Sequence, residues 1–396
     1  MSNRSRTLWL LAALLLVAAN LRAPVTAVAP VLSRLQTEFS LSSAQAGLLT
    51  TLPLLAFGLV SPFAAAIARA RGLERTVLAA LAVIAVGILL RSAGALSALY
   101  AGTLLAGMGI AVGNVLLPSI IKRDFPGSVA LVTSACALAM GGVAAVASAS
   151  AVPLAGAGGW QWALGSLLVL PVAAMLAWRV QLSGPAIRVQ AGAHLSVPVW
   201  RSALAWQLTL FMGLNSTLYY ATVAWLPAVL AEAGYSASAA GSVHGVMQLA
   251  SALPGLVLAP LVARCKDQKL LAAGAGLLMA LAVFGLARWP ALAALWAVCL
   301  GAGSGAGLIL ALMFMGLRAA NAPTAAALSG MAQCLGYLLA ASGPLLAGKA
   351  YAWSHGWTWP LHVGVVLCLA MALFGALAGR ARLLGEAVLP SAQKQE

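Results

Sequence analysis

Apolar residues run through this chain in long blocks, broken only by short stretches that carry Arg, Lys, Gly or Pro. Each block is about as long as, or longer than, the roughly 20 residues that cross a hydrocarbon core. Twelve spans are predicted. Six lie near residues 8–33, 43–68, 75–93, 95–121, 128–154 and 159–180. Six more lie near 202–231, 236–263, 269–288, 290–317, 323–351 and 357–379. The expected fold is an all-α polytopic membrane protein.

The two sets of spans repeat. "LSSAQAG" (41–47) matches "YSASAAG" (235–241), and Gly107, Gly109 and Gly113 recur as Gly301, Gly303 and Gly307. Asn20 aligns with Asn215, Ser134 with Ser329, and Gly141 with Gly336, all at nearly one separation. Several matches at one offset point to duplication. Six spans is an even number, so both copies face the same way. Parallel repeats of this kind hold a substrate site between the halves, near the midplane. The expected organisation is a six-helix bundle over 1–180 and a cytoplasmic linker over 181–200, with Pro185, Gly192 and Pro198. A second six-helix bundle with a short cytoplasmic tail then fills 201–396.

Composition agrees with a membrane protein: 63% of residues are hydrophobic and 7% are charged, against about 25% charged in a soluble domain. The formal charge of +15 would fit a nucleic-acid partner. The Lys and Arg residues, however, are spread over short loops. With both termini inside, most of them fall on the cytoplasmic side. Arg34, Arg91, Arg288 and Lys349 fall outside, and Arg22 alone lies within a span. No nucleic-acid partner is expected. Arg4, Arg6 and Val17-Ala18-Ala19 imitate a cleavable signal. Cleavage would leave an odd number of spans and break the repeat, so the first span is read as retained.

Several motifs resemble chemistry without carrying it. "GPLLAGKA" (343–350) nearly fits a phosphate loop but lacks the final Ser or Thr and follows no strand. "GMGIAVG" (107–113) and "GAGSGAG" (301–307) sit inside apolar spans, where small residues let helices approach closely. The five cysteines show neither disulfide nor zinc spacing and read as packing residues. All seven acidic residues fall in loops or tails, which excludes a carboxylate pair within the membrane. No enzymatic activity, cofactor or metal is expected.

Arg22 in "AANLRAPV" (18–25) is the feature that composition does not explain. It lies about 21 Å along a helix starting near Leu8, at ~1.5 Å per residue. A central Arg costs roughly 2.5–3.5 kcal/mol on insertion scales, which the preceding Leu and Val residues offset at ~0.3–0.6 kcal/mol each. Pro24 removes a backbone donor and is expected to free the carbonyl of Asn20. Arg22 reads either as a structural group that bonds backbone carbonyls or as a cationic anchor for a solute. The anchor is favoured because no Asp or Glu lies in any span, and charge inside a membrane is normally paired.

Other polar groups within spans are few. Asn20, Asn114, Asn215, Tyr219, His244, Gln248, Gln333 and Tyr337 are, with Arg22, the candidate substrate-binding residues. His244 and Gln248 are one turn apart and share a helix face. Together these groups are expected to form a small polar cavity ringed by Trp225, Pro227 and apolar side chains. Carrying one negative charge inward works against about 2.3 kcal/mol per 100 mV. Uptake of an anion therefore needs a cation, and His244 is the proton-coupling candidate, since histidine titrates near neutrality.

"AANLRAP", "GMGIAVGNVLLPSIIKRDFP" (107–126), "YYATVAWLP" (219–227) and "AALSGMAQCLGYLLAASGPLLAG" (326–348) resemble the CynX/NimT family. These are the cyanate and 2-nitroimidazole transporters of the major facilitator superfamily. The resemblance covers nearly the whole chain. It implies the major facilitator fold of twelve transmembrane helices in two six-helix bundles, rocker-switch alternating access, and a bacterial inner-membrane location. It also implies that helices 1, 4, 7 and 10 line the cavity. One departure stands out. The superfamily's loop after the second span resembles G-x-x-x-D-R-x-G-R-[RK]; here "AIARARGLER", ending at Arg75, puts Arg69 where the Asp belongs. The expected function is secondary transport of a small anion, cyanate-like or a small carboxylate, by a monomer in the bilayer. The alternative is export of a neutral polar compound such as a 2-nitroimidazole. A non-transporting receptor finds no soluble signalling domain to support it.

Overall fold

The computed structural model describes residues 3–41, 43–182 and 199–384, and most of the 181–200 linker and the tail beyond 384 lie outside them. In the first half, span 1 is divided into α1 (Asn3–Ala19), α2 (Ala23–Thr26) and α3 (Leu32–Phe39). Spans 2 to 4 are α4 (Ser43–Arg71), α5 (Leu73–Arg91) and α6 (Leu96–Asp124). α7 (Val129–Gly165) carries span 5 and, beyond a non-helical turn at Gly158 and Gly159, the start of span 6; α8 (Val169–Leu182) completes it. Gly159 adopts φ +82°, where a Cβ would be strained. After this turn the chain runs back along α5. Gly165 lies against Ser92 at one end, and Trp178 donates to the Glu74 carbonyl (3.1 Å) at the other.

The second half begins with α9 (Ala203–Glu232) as span 7. Span 8 is α10 (Ala237–Ala250) and α11 (Pro254–Arg264), interrupted at residues 251–253. α12 (Lys269–Arg288), α13 (Ala293–Leu317), α14 (Ala322–Ser354) and α15 (Thr358–Ala378) follow. Side-chain caps start three of these helices: Ser202 accepts from Ala205, Ser236 from Ala239, and Asn321 from Thr324. α14 runs unbroken through residues 343–350, so the near phosphate-loop motif is plain helix.

Among the described residues, ten segments are long and apolar enough to cross a membrane. One of them, Pro126–Leu182, turns back at Gly158–Gly159 and makes two passes. α9, diluted by Gln207, Asn215, Tyr219 and Tyr220, supplies the remaining pass. The buried apolar side chains fall into two clusters, one drawn from Ala13 to Trp178 and the other from Val199 to Leu384. Large apolar side chains such as Leu59, Phe63, Val146, Leu249, Leu270 and Leu345 point outward from both clusters, as lipid contact requires. Small residues bring the helices together. Gly102 lies on the backbone of Gly87 and Arg91, Gly276 on Ala372, and Gly301 and Gly305 on the backbone of residues 247–251.

The repeat extends to the helix ends. Arg123 at the end of α6 pairs with Glu74 (2.6 Å) and Asp124 (2.7 Å). Its repeat partner Arg318 is read from the sequence as a cytoplasmic loop residue, yet only 5% of it is exposed. Arg318 Nε donates to the Ala378 carbonyl (3.0 Å), and Nη2 donates to the Gly379 carbonyl (2.9 Å) and to Gln268 Oε1. Leu384 folds back to donate its N–H to the Arg318 carbonyl at 2.7 Å. Burial pulls the Arg318 guanidinium down to about 10, so it stays charged at neutral pH. The two ends should respond differently to mutation. Gln268→Leu leaves a buried charged donor short of an acceptor and is expected to cost about 1–3 kcal/mol. Glu74→Gln touches a pair whose side chains are 16–22% exposed and is expected to cost at most about 1 kcal/mol. Thermal unfolding of the two purified variants compares them directly.

Candidate functional site

The site forms where two spans are interrupted. α1 ends at Ala19. The next two residues tighten into i→i−3 bonds, Asn20 N–H to Val17 (3.1 Å) and Leu21 N–H to Ala18 (2.9 Å). This frees the Leu16 carbonyl, and the Asn20 side chain takes it through Nδ2 at 2.8 Å. Arg22 caps α2 with φ −132° and ψ −44°. Pro24 falls in the first turn of α2, where its missing N–H would have had no helical partner. The break therefore lies upstream of the position expected from Pro24. Asn20 serves it as a cap, fully buried against its own helix.

Arg22 itself is half-buried. Its Nη2 donates to the hydroxyl of Tyr219 (3.2 Å) in α9, and that hydroxyl donates to Gln248 Oε1 (2.8 Å). Gln248 lies in the last turn of α10, just before the interruption in span 8, and its carbonyl accepts from Ser251 Oγ at 2.7 Å. A relay thus joins the break in span 1 to the break in span 8. The phenols of Tyr220 and Tyr337 also lie close enough to act electrostatically on Arg22. The Tyr220 ring stands edge-on to Tyr219 (centroids 5.3 Å apart), and that of Tyr337 edge-on to Phe57 (5.0 Å). Among the described residues no carboxylate pairs with Arg22, and its only side-chain bond is the phenol. A guanidinium carries five donors, so most of its bonding capacity stays open.

The remaining candidates divide. His244 shares the α10 face with Gln248, is half-buried, and has an Nε2 without a partner. Asn114 in α6 is buried, and its side chain makes no hydrogen bond among the described residues. Asn215 is buried against α13, its Oδ1 over Gly307, and so faces the interior of the second bundle. Gln333 is buried and bonds Ser329 on its own helix at 2.7 Å. Trp225 donates to the Pro344 carbonyl (2.8 Å) and packs on Trp357, within the second half. Tyr220 and Phe57 are neighbours of the site that the sequence reading left out. The adjacent Tyr219 and Tyr220 were the available signal; nothing in the sequence singles out Phe57.

Among the described residues, several contacts join the halves toward one side. Ser119 Oγ donates to the Ala322 carbonyl (2.9 Å), Gly330 lies on Ser61, Gly316 on Val129, and Gly255 under Leu138. Gly58 under Leu338 and Tyr337 on Phe57 are nearer mid-helix. All of these lie between mid-span and the end that carries the α4–α5 and α13–α14 connections. Toward the opposite end Arg34 donates to the Ala155 carbonyl (2.6 Å), Trp160 to Glu38 (2.7 Å) and Tyr235 to the Pro290 carbonyl (2.9 Å), each within a half. Arg22 and Tyr219 thus meet where the two halves join, near mid-helix. In low-dielectric surroundings a half-satisfied cation attracts an anion or a strong acceptor dipole, and the tyrosines offer flat faces beside it.

A family model for the Major Facilitator Superfamily matches residues 8–341. The 2-nitroimidazole transporter of Escherichia coli (strain K12) is 49% identical over 388 residues, 96% of this chain and 97% of that one. The cyanate transport protein CynX of the same organism is 30% identical over 367 residues, 91% of this chain and 95% of that one. The crystal structure of FucP, a transporter in the outward conformation, superposes with a TM-score of 0.76 at 13% identity, over 93% of this chain and 98% of that one.

Proposed function

Starting from a chain that belongs to the major facilitator superfamily, in the family of the cyanate and 2-nitroimidazole transporters, we propose that Arg22 anchors a small planar anion. The protein is a multi-pass membrane transporter and not an enzyme. The observation that carries the proposal is a half-buried guanidinium at the junction of the two halves, with a phenol as its only side-chain partner among the described residues. A carboxylate fits its planar fork through two parallel hydrogen bonds. The aromatic rings of Tyr219, Tyr220 and Tyr337 favour a flat solute.

The transport cycle follows from the breaks. The solute reaches Arg22 from one side of the membrane, replaces Tyr219 as its acceptor, and so releases the tie between the halves. The halves, 1–180 and 201–396, then rock until the other side opens. We place the protein in a bacterial inner membrane with both termini in the cytoplasm, from the distribution of Lys and Arg. Uptake of an anion against the membrane potential then draws on a proton, with His244 its carrier. His244→Gln is expected to abolish the pH-gradient dependence of uptake; undiminished proton-driven uptake by that variant removes this role.

The 49% identity to a 2-nitroimidazole transporter favours a second reading, a neutral nitro heterocycle. A nitro group has the shape of a carboxylate and offers Arg22 two oxygens without the charge. Thermal stabilisation of the purified protein by benzoate, cyanate, 2-nitroimidazole and benzamide separates the readings. Stabilisation by benzoate or cyanate and none by benzamide is the expected result. Stabilisation by 2-nitroimidazole alone replaces the anion with the neutral solute.

A further inference from the structure

Arg91 is assigned to the outer side, at the end of its span, by the sequence reading, and it is 1% exposed. It is the last residue of α5, where Gly87 and Gly102 let α5 and α6 close over it. Its Nη1 donates to the Pro24 carbonyl at 2.5 Å. That carbonyl is free because α2 ends after a single turn. In a continuing helix it would accept from the N–H of Val28, which instead turns to Val25 at 3.4 Å. The same turn is held from a second direction by Ser148 in α7, whose Oγ donates to the Thr26 carbonyl at 3.3 Å. The Thr26 hydroxyl in turn reaches the carbonyls of Ala23 (3.3 Å) and Arg22 (3.4 Å). All of these groups belong to the first half, whereas Arg22 points to the second.

Arg91 is a poor structural filler. Its Nε and Nη2 have no partner, and among the described residues no carboxylate pairs with it. A buried charge satisfied at one nitrogen is costly, and an apolar side chain of similar size would pack there more favourably. What the guanidinium supplies is a short charge-assisted bond to the residue two places beyond Arg22. We propose that Arg91 is a positioning residue for Arg22: it fixes the geometry of the break in span 1 and thereby the direction in which the Arg22 guanidinium meets the solute.

This inference rests on the reading of Arg22 as the anchor, and a double-mutant cycle tests the two separately. Apparent affinity for benzoate, cyanate and 2-nitroimidazole is measured by flux into proteoliposomes, in native and Arg22→Lys backgrounds. Arg91→Met is expected to weaken affinity about tenfold in the native background and less than twofold beside Arg22→Lys, with the maximal rate changed less than the affinity. Equal losses in both backgrounds, or native affinity in folded Arg91→Met, overturn the proposal. If Arg91→Met yields no folded protein, Arg91→Gln, whose amide is too short to span to Pro24, is judged by the same criteria. Unchanged affinity for every probe in Arg22→Lys alone is a failure of the anchor reading instead.

Discussion

Arg22→Ala is expected to abolish solute binding and transport while leaving folded protein in the membrane. A hydrogen bond to a charged group contributes about 1.5–3 kcal/mol, so losing a two-bond grip on a carboxylate lowers affinity by about 100-fold or more. The fold loses little in exchange. Arg22 makes one side-chain hydrogen bond among the described residues, at 3.2 Å, and its removal relieves roughly 2.5–3.5 kcal/mol of insertion cost. Thermal unfolding without solute is therefore expected to be unchanged or raised, and stabilisation by benzoate or cyanate to vanish. Arg22→Lys keeps the charge and loses the fork, so it should bind weakly and discriminate less. Native flux of every probe through Arg22→Ala would remove Arg22 from solute recognition.

Gly305→Val is expected to prevent assembly of the second bundle. A Cβ at Gly305 would lie 2.8 Å from the Ser251 carbonyl carbon and 3.0 Å from its Cα, and one at Gly301 would lie 2.8 Å from the Ala250 Cβ. The obstacle at Gly305 is backbone, so no side-chain rotation relieves it, and α13 must separate from span 8. Overpacking costs about 1–3 kcal/mol where neighbours can adjust, and more is expected here. Gly305→Ala is the milder test. It should lower the unfolding temperature and weaken solute affinity, because the displaced segment carries Gln248 and the end of the relay. Gly141→Ala, with nothing within 4 Å of the added atom, is the matched control and is expected to behave as the native protein. Sharp monodisperse elution of Gly305→Val at native yield would contradict the argument.

The spans were legible because length and apolarity alone define a crossing, and the repeat set their number even where α9 is diluted by polar residues. The interruption in span 8 was not legible: Pro254 marks its downstream edge, but prolines 53, 62 and 118 sit inside unbroken helices. Arg22 stood out on charge. Asn20 and Asn215 looked equivalent from their matched positions in the repeat, yet one caps α1 and the other rests on Gly307. Helix position fixes depth; it does not fix which neighbour a side chain faces. Arg91 looked like an outer-side residue because it ends an apolar run, and its burial depends on glycines in two helices that meet only in the folded molecule. The link from Arg22 through Tyr219 to Gln248 crosses between halves and has no local sequence signature.

The two interruptions do not correspond under the duplication. Residues 20–22 break span 1, while its counterpart α9 is continuous; residues 251–253 break span 8, while its counterpart α4 is continuous. The two copies are parallel, related about an axis along the membrane normal, and yet they bend at places that are not equivalent. Each half must reach the other orientation through its own pivot, and solute occupancy at Arg22 acts directly on only one of them.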